Sequence, residues 1–443
     1  MVFAHQTRTA LTYFAAAALV ATLAIAVQQQ RRTAAKLSDP RGGHISDFDR
    51  WMLMTPRFVH DHVDYLGDEL PTPPISLIVF APLTALSRPD AAFVWVCVKL
   101  PLACLVFFLS AAIAARAGIP LTPRALALLI AGWWLAVVVD MQEGQTNFLA
   151  LAPLAAGLYV AQRERSWSDA GAGALIGLGA AMKVTPVIFV AYFLWKRRWR
   201  VACAAVVSIA VCLLVVPALV FGWDQNLRWL EQWARIMIVP FVSQGAVVYS
   251  TSQSLASFVL RLLTAAPAFD SHHGGVMVSH YMNVMSLSNA AARHIVRALM
   301  VTVGLGGLWW ARRPLATLRS PRYVIEIGAV AAFMLWFSER TWVHHYVSFI
   351  LTLAAAGMVL SDMTQPESSR RLVRVSLIVF AAISFFASDV SKIFGPDGVD
   401  WAKAIGVYLW PSTIVAAALI RAAAHEPLAR GDALETTTHR GST

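Results

Sequence analysis

A chain of 443 residues that is 58% hydrophobic and only 14% charged falls outside the range of soluble globular proteins, which carry about 25% charged residues. Its net charge of +11 requires no nucleic acid; it reads as lysines and arginines facing anionic lipid on one side of a bilayer. The four cysteines (Cys97, Cys104, Cys203 and Cys212) all lie in apolar runs, which argues for small core residues and against a disulfide framework or a metal site.

Apolar runs long enough to cross a hydrocarbon core of about 30 Å recur along the length, so the expected fold class is an all-α polytopic membrane protein. The first run, over 11–27 behind Arg8, has the form of a secretory signal, but the spans downstream favour an uncleaved anchor. Full spans are predicted near 9–27, 91–113, 125–140, 147–162, 201–221, 291–311, 323–338, 343–360, 371–388 and 401–421. The segment 170–195 is long but interrupted at Lys183-Val-Thr-Pro186. Lysine is costly at bilayer depth and proline removes a backbone donor, so two short helices should meet there. About twelve membrane segments result, forming one domain over 1–425, with a polar, mobile tail at 426–443. Segments 75–87 and 251–263 are apolar but short, and are expected as interfacial or re-entrant helices.

Basic residues set the orientation. One set of short loops holds Arg116, Arg124, Arg163, Arg165, the Lys196-Arg-Arg-Trp-Arg200 cluster, Arg312, Arg313, Arg319, Arg322, Arg370, Arg371 and Arg374. The opposite loops hold only Lys183, Arg340, Lys392 and Lys403. The first set is therefore expected in the cytoplasm, with both termini, in a multi-pass protein of the cell membrane. The loops 28–90, 140–147, 222–290, 338–345 and 388–400 are then expected outside, which gathers most polar, reactive residues on one face.

In chain order, the first candidates are Asp47 and Asp49, in the polar stretch His44-Ile-Ser-Asp-Phe-Asp49. No further carboxylate cluster supports a metal at this Asp-x-Asp triplet. Ser46 and Asp47 suit a helix start before Phe48-Asp-Arg-Trp-Met; Asp47 also suits a catalytic base just outside the membrane, and one residue can do both. His60-Asp-His62-Val-Asp64 lacks the separated ligands of a tetrahedral zinc cage and reads as an exposed interfacial stretch. Leu70-Pro-Thr-Pro-Pro74 starts the short helix at 75–87, and its rigid turn could hold the loop over a cavity. Asp140-Met-Gln-Glu-Gly-Gln-Thr-Asn147 is either a simple polar turn or a site in which Gly144 permits close approach while Gln145 and Asn147 meet hydroxyl groups; its acids Asp140 and Glu143 have no evident partner. Lys183 at the helix break suits a phosphate or, equally, snorkelling to the interface. Trp223, Trp229 and Trp233 read as interfacial anchors, with sugar stacking as the alternative. Trp342-Val-His344-His345-Tyr346 opens a span; two adjacent histidines on a helix cannot both face one point, so one of them is expected to serve.

Taken in order, these stretches resemble the polyprenyl-phosphate-mannose-dependent mannosyltransferases of glycosyltransferase family eighty-seven, within the integral-membrane C superfamily. The resemblance rests on Asp47-Phe48, Pro73-Pro74, Gly144-Gln-Thr-Asn147, Gly177-Leu-Gly-Ala-Ala-Met-Lys183-Val-Thr-Pro186, Lys196-Arg-Arg-Trp-Arg200, Gln253-Ser254-Leu255 and Trp342-Val-His344-His345. It departs from the family pattern at Trp51, at Pro71-Thr72 and at Ser252. It implies a bundle of that superfamily's type and an inverting transfer on the extracytoplasmic face, from a lipid-phosphate sugar donor without a nucleotide. It places catalysis on Asp47, with Lys183 and the histidine pair beside the donor phosphate.

The chemistry is coherent from the residues as well. A prenol-linked sugar phosphate is a phosphodiester whose leaving group departs as a phosphate monoester, a weak base near neutrality. Departure then needs little acid catalysis. One carboxylate to deprotonate an acceptor hydroxyl and one or two cationic donors for the phosphate suffice. Asp47 is assigned as base, with Lys183 and His345 or His344 as phosphate partners. Asp49, Asp140, Glu143, Gln145, Asn147 and Gln253 are candidates for acceptor or sugar contacts. No resident metal or other cofactor is expected, with a divalent cation left open. The expected partners are a polyprenyl-phosphate-sugar donor, a lipid-linked or envelope glycan acceptor and membrane lipids. The alternatives are a glycolipid flippase, for which paired broken helices would be expected, and a non-catalytic glycolipid-binding protein.

Overall fold

The computed structural model describes residues 24, 27–32, 34–35, 47–65, 70–244, 251–273, 276–388, 391 and 393–424. Nearly all of the predicted first span at 9–27, the stretch 44–46 and the tail at 426–443 lie outside them. What is described is an all-α polytopic membrane protein with one short hairpin.

Helix α1 (Asp47–Asp61) and α2 (Ile75–Phe80, continued as a 3-10 turn over Ala81–Ala85) belong to the first polar loop. The apolar helices follow: α3 (Arg88–Arg116), α4 (Pro123–Glu143), α5 (Asn147–Ala161), α6 (Ser166–Met182), α7 (Val187–Trp195) and α8 (Trp199–Ala210). Helices α3 and α4 start where the sequence offers a cap: the Ser87 and Thr122 hydroxyls accept from the backbone N–H groups of Asp90 and Ala125. Helix α8 runs through a π turn, Val211–Val215, into α9 (Val216–Phe221). Pro217 has no N–H for the Leu213 carbonyl, and the Asn226 side chain donates to the carbonyls of Leu213 and Leu214 at 2.9 and 3.0 Å, which restores that pairing.

Beyond α9 lie α10 (Trp223–Met237), α11 (Val239–Gln244), α12 (Leu255–Leu263) and an antiparallel hairpin of β1 (Phe269–His273) and β2 (Val276–His280), in register Phe269 to His280. The hairpin carries no signal in hydrophobic periodicity and was not anticipated. The chain then forms α13 (Asn289–Trp310), α14 (Pro321–Trp336), a 3-10 turn Val343–Phe349 leading into α15 (Ile350–Ser361), α16 (Glu367–Phe386), α17 (Gly395–Ala404) and α18 (Leu409–Ala424).

Helix α15 with its 3-10 turn is the centre of the bundle: 83% of its most apolar window is buried within the protein, against 11% for the spans Trp199–Phe221 and Asn289–Trp310, whose surfaces are left for lipid. Among the described residues, five helices are long and apolar enough to cross a membrane, or six with the bent pair α17–α18 taken as one span. This is fewer than the dozen expected. Helices such as α5, with 15 residues, reach only about 22 Å at 1.5 Å per residue, short of a 30 Å core. The expected continuous span at 401–421 is instead two helices bent by 43°, broken where Gly406 takes φ +83°.

Candidate active site

The polar ends of these elements enclose a cavity of about 1120 Å³. Its wall includes Asp47 and Trp51 of α1, Pro71 to Pro73, Glu143 and Gln145 after α4, Lys183 at the α6–α7 break, Trp233 of α10, Glu339 and Arg340, and both His344 and His345. The rigid turn at Pro71 does hold the first loop over a cavity, with Trp233 Nε1 donating to the Pro71 carbonyl at 3.3 Å.

Asp47 is brought there by a close approach. Gly144 ends α4 at φ +68°, and a Cβ at that position would sit 2.3 Å from Phe48 Cβ. Only glycine allows both the left-handed turn and the contact. The Trp95 indole clamps the same turn by donating to the Gly144 carbonyl at 2.9 Å. Asp47 opens α1, where the helix dipole favours an acid, and accepts from the Gln145 amide, with Arg50 3.8 Å away. About a third of its side chain is exposed.

Lys183 adopts extended backbone at the end of α6. Helix α6 lies close enough to α5 that a Cβ on Gly179 would meet the Ala150 carbonyl at 2.6 Å. This holds the Lys183 ammonium over Asn147, whose Oδ1 it reaches. The Asn147 amide in turn donates to Asp140 Oδ2 at 2.7 Å and to the His344 carbonyl at 3.1 Å.

The two histidines lie on a 3-10 turn, which places successive side chains differently from an α-helix, and both rings reach the cavity wall. Their roles in the fold differ. His345 Nδ1 accepts from the Trp342 backbone N–H at 3.1 Å, and its ring also bonds to the backbone of Arg340. His344 is buried, yet its Nε2 has no hydrogen-bond partner among the described residues. A buried polar nitrogen in that state is costly unless a ligand satisfies it.

Several expected contacts are not at the cavity. Asp140 was read as an acid without a partner, but it is fully buried and paired with Lys99 at 2.7 Å. Lys99 lies within the span predicted near 91–113, and a lysine among those apolar residues is the sequence signal for such a pair. Gln253 is a structural clasp: its amide donates to the carbonyls of Thr251 and Lys403 at 2.7 Å each and accepts from the Tyr408 N–H at 3.1 Å. Asp49 is buried on the inner face of α1, off the cavity wall. Trp229 is neither an interfacial anchor nor a sugar platform; it is a core residue packed on Phe58, donating to the Val63 carbonyl at 3.0 Å. His60, Asp61, His62 and Asp64 are exposed, and among the described residues no three His, Cys, Asp or Glu side chains converge as a metal site would need.

Fold and cavity define a polytopic helical membrane protein with one cavity whose wall carries the Asp47 carboxylate, the Lys183 ammonium and the imidazoles of His344 and His345. Sequence comparison supplies the family: the model of glycosyltransferase family 87 matches residues 72–338, more than half of the chain, and the protein belongs to that family. The matched stretch contains the turn at 140–147 and Lys183, while Asp47 and the histidine pair flank it on either side. Two curated proteins are similar, both named polyprenol-phosphate-mannose-dependent alpha-(1-2)-phosphatidylinositol mannoside mannosyltransferase. The one from Mycobacterium tuberculosis is 24% identical over 306 residues, covering 65% of this chain and 61% of that protein. The one from Mycolicibacterium smegmatis is 26% identical over 310 residues, with the same coverage. The chain thus spans about three fifths of the length of these relatives. Comparison with solved structures found no significant match.

Proposed function

We propose that this protein transfers a sugar, mannose by analogy with its relatives' names, from a polyprenyl-phosphate donor to a lipid-linked or cell-envelope glycan. The phosphatidylinositol mannosides in those names are the model for the acceptor class. The reaction takes place on the extracytoplasmic face of the cell membrane, the side the basic loops avoid.

Asp47 removes the proton from an acceptor hydroxyl. The oxygen attacks the anomeric carbon from the side opposite the phosphate, the carbon–oxygen bond to phosphate breaks, and the configuration inverts. Lys183 and His344 meet the charge that builds on the departing phosphate. Lys183 is already held at the cavity wall by Asn147, and His344 Nε2 has bonding capacity the protein leaves unused. His345 braces the turn that carries His344. Gln145 orients the Asp47 carboxylate, while Glu143, Arg340 and Trp233 line the same wall, beside which the acceptor binds.

The observation that carries this reading is the single cavity bounded at once by Asp47, Lys183, His344 and His345. Purified protein incubated with radiolabelled polyprenyl-phosphate mannose and a phosphatidylinositol-mannoside acceptor should release polyprenyl phosphate and label the acceptor. Asp47→Asn should remove that activity without changing thermal stability. Movement of donor across vesicles without product would favour a flippase, and binding alone a non-catalytic protein. Full activity in Asp47→Asn would remove Asp47 as the base.

A further inference from the structure

Behind the cavity wall, three buried side chains, Lys99, Asp140 and Asn147, form a chain that ends on Lys183 at the wall. Lys99 of α3 is fully buried, with its ammonium 2.7 Å from Asp140 Oδ1 and 2.7 Å from the Asp140 carbonyl. Asp140 Oδ2 accepts from Asn147 Nδ2 at 2.7 Å, and Asn147 Oδ1 accepts from Lys183. One turn before Lys99 on the same face of α3 stands Trp95, which holds the Gly144 carbonyl. Helix α3 thus grips the 140–147 turn at two points, Asp140 and Gly144.

The direction of each bond is forced. The Asn147 NH₂ group meets two acceptors, Asp140 Oδ2 and the His344 carbonyl. Turning the amide over would bring its oxygen against both of them, so the oxygen must face Lys183. The Lys183 ammonium, which can only donate, requires the same orientation, and an ionised Asp140, which only accepts, holds the amide firmly in it. A buried carboxylate stays ionised only beside a buried cation, and the cation 2.7 Å away is Lys99. Two lysines then share one carboxylate, which leaves one positive charge in this chain facing the cavity, the complement of a phosphodiester.

We infer that Lys99 is a positioning residue for the donor phosphate: through Asp140 and Asn147 it fixes where the Lys183 ammonium waits for it. The inference rests on the proposed role of Lys183 and extends it to a residue that never meets substrate.

A double-mutant cycle tests it. Binding of a short-chain polyprenyl phosphate to the purified full-length protein is measured against binding of the corresponding prenol, so that only phosphate recognition is counted. Lys183→Met should weaken phosphate binding about tenfold or more and leave prenol binding unchanged. Lys99→Met should cost a similar factor in the native background and almost nothing further in the Lys183→Met background. Equal losses in both backgrounds, or an equal loss for prenol, would mean that Lys99 acts only on the fold and would overturn the inference. If Lys99→Met fails to fold, Asn147→Ala, which breaks the chain without stranding a buried charge, takes its place in the same cycle: non-additivity with Lys183→Met supports the relay, and additivity overturns it. Should Lys183→Met itself leave phosphate binding intact, it is the assignment of Lys183 that fails, an outcome distinct from failure of Lys99 alone.

Discussion

The two ends of this bundle treat their acids in opposite ways. At the end where α7 turns into α8 and α13 into α14, the acids Glu326 and Glu164 are tied to several donors each, while arginines such as Arg197 and Arg312 stay exposed. Glu326 is fully buried and accepts from Tyr192 at 2.9 Å, Arg322 at 2.9 Å and Lys196 at 2.8 Å, and Lys196 also donates to the carbonyls of Ala311 and Arg313. Glu164 accepts from Arg198, Thr317 and the Leu318 N–H. At the cavity end, Asp47 is partly exposed and His344 Nε2 is unsatisfied among the described residues. A closed polar network specifies packing, whereas one left open is completed by something that binds. For the acids, charge alone does not distinguish the two ends; the number of donors that hold each carboxylate does.

Mutations should separate the ends cleanly. The largest effect on catalysis belongs to Asp47→Asn, which keeps the shape and removes the base: transfer should fall about 10²–10⁴-fold, with the melting temperature in detergent unchanged. Glu326→Gln should do the reverse. It strips the carboxylate from a buried pair, which costs about 3–5 kcal/mol, so the melting temperature should drop while activity per folded molecule survives. A large loss of specific activity in Glu326→Gln with an unchanged melting temperature would break the comparison. Gly144→Ala lies between the two. A left-handed alanine costs about 1–2 kcal/mol, and its Cβ would press on Phe48 at 2.3 Å, moving the helix that carries Asp47. A displacement near 1 Å can cost about 10²-fold in rate, so this variant should lose both stability and transfer, with donor binding at Lys183 retained.

Most of the framework was legible in the sequence because hydrophobic length and turn chemistry are local. The predicted span at 125–140 became α4, and the lysine and proline at 183 and 186 did interrupt a helix. The turn at Gly144 was foreseeable because glycine both ends a helix in the left-handed region and permits close approach. What could not be read were pairings made across the fold. Lys99 and Asp140 lie 41 residues apart, and nothing local says that one cancels the other. Gln253 looked available because two of its partners, the backbones of Lys403 and Tyr408, come from a distant break in the chain that the apolar run at 401–421 conceals. The histidine pair was seen, but the helix type that lets both rings reach one wall was not, since a 3-10 turn has no distinct apolar period over so few residues.

Glu339 sharpens the comparison from the middle, with the smallest effect of the series. It lies in the loop before the histidines and lines the cavity, yet it is half-closed by protein. Burial lifts its carboxyl above the ordinary range, and the neighbouring Arg340 opposes that shift. An acid whose folded pKa is raised favours the folded state below its unfolded pKa, and that contribution is lost as pH rises through the folded value. At neutral pH the ionised Glu339 therefore opposes folding. Glu339→Gln should melt slightly higher than the native protein at neutrality. The gap should close towards about pH 4, where a glutamate ordinarily protonates. A gap independent of pH would mean the Glu339 side chain is solvated and belongs with the open end; a gap that opens on the alkaline side places it with the structural charges, on a wall that substrate passes without needing its proton.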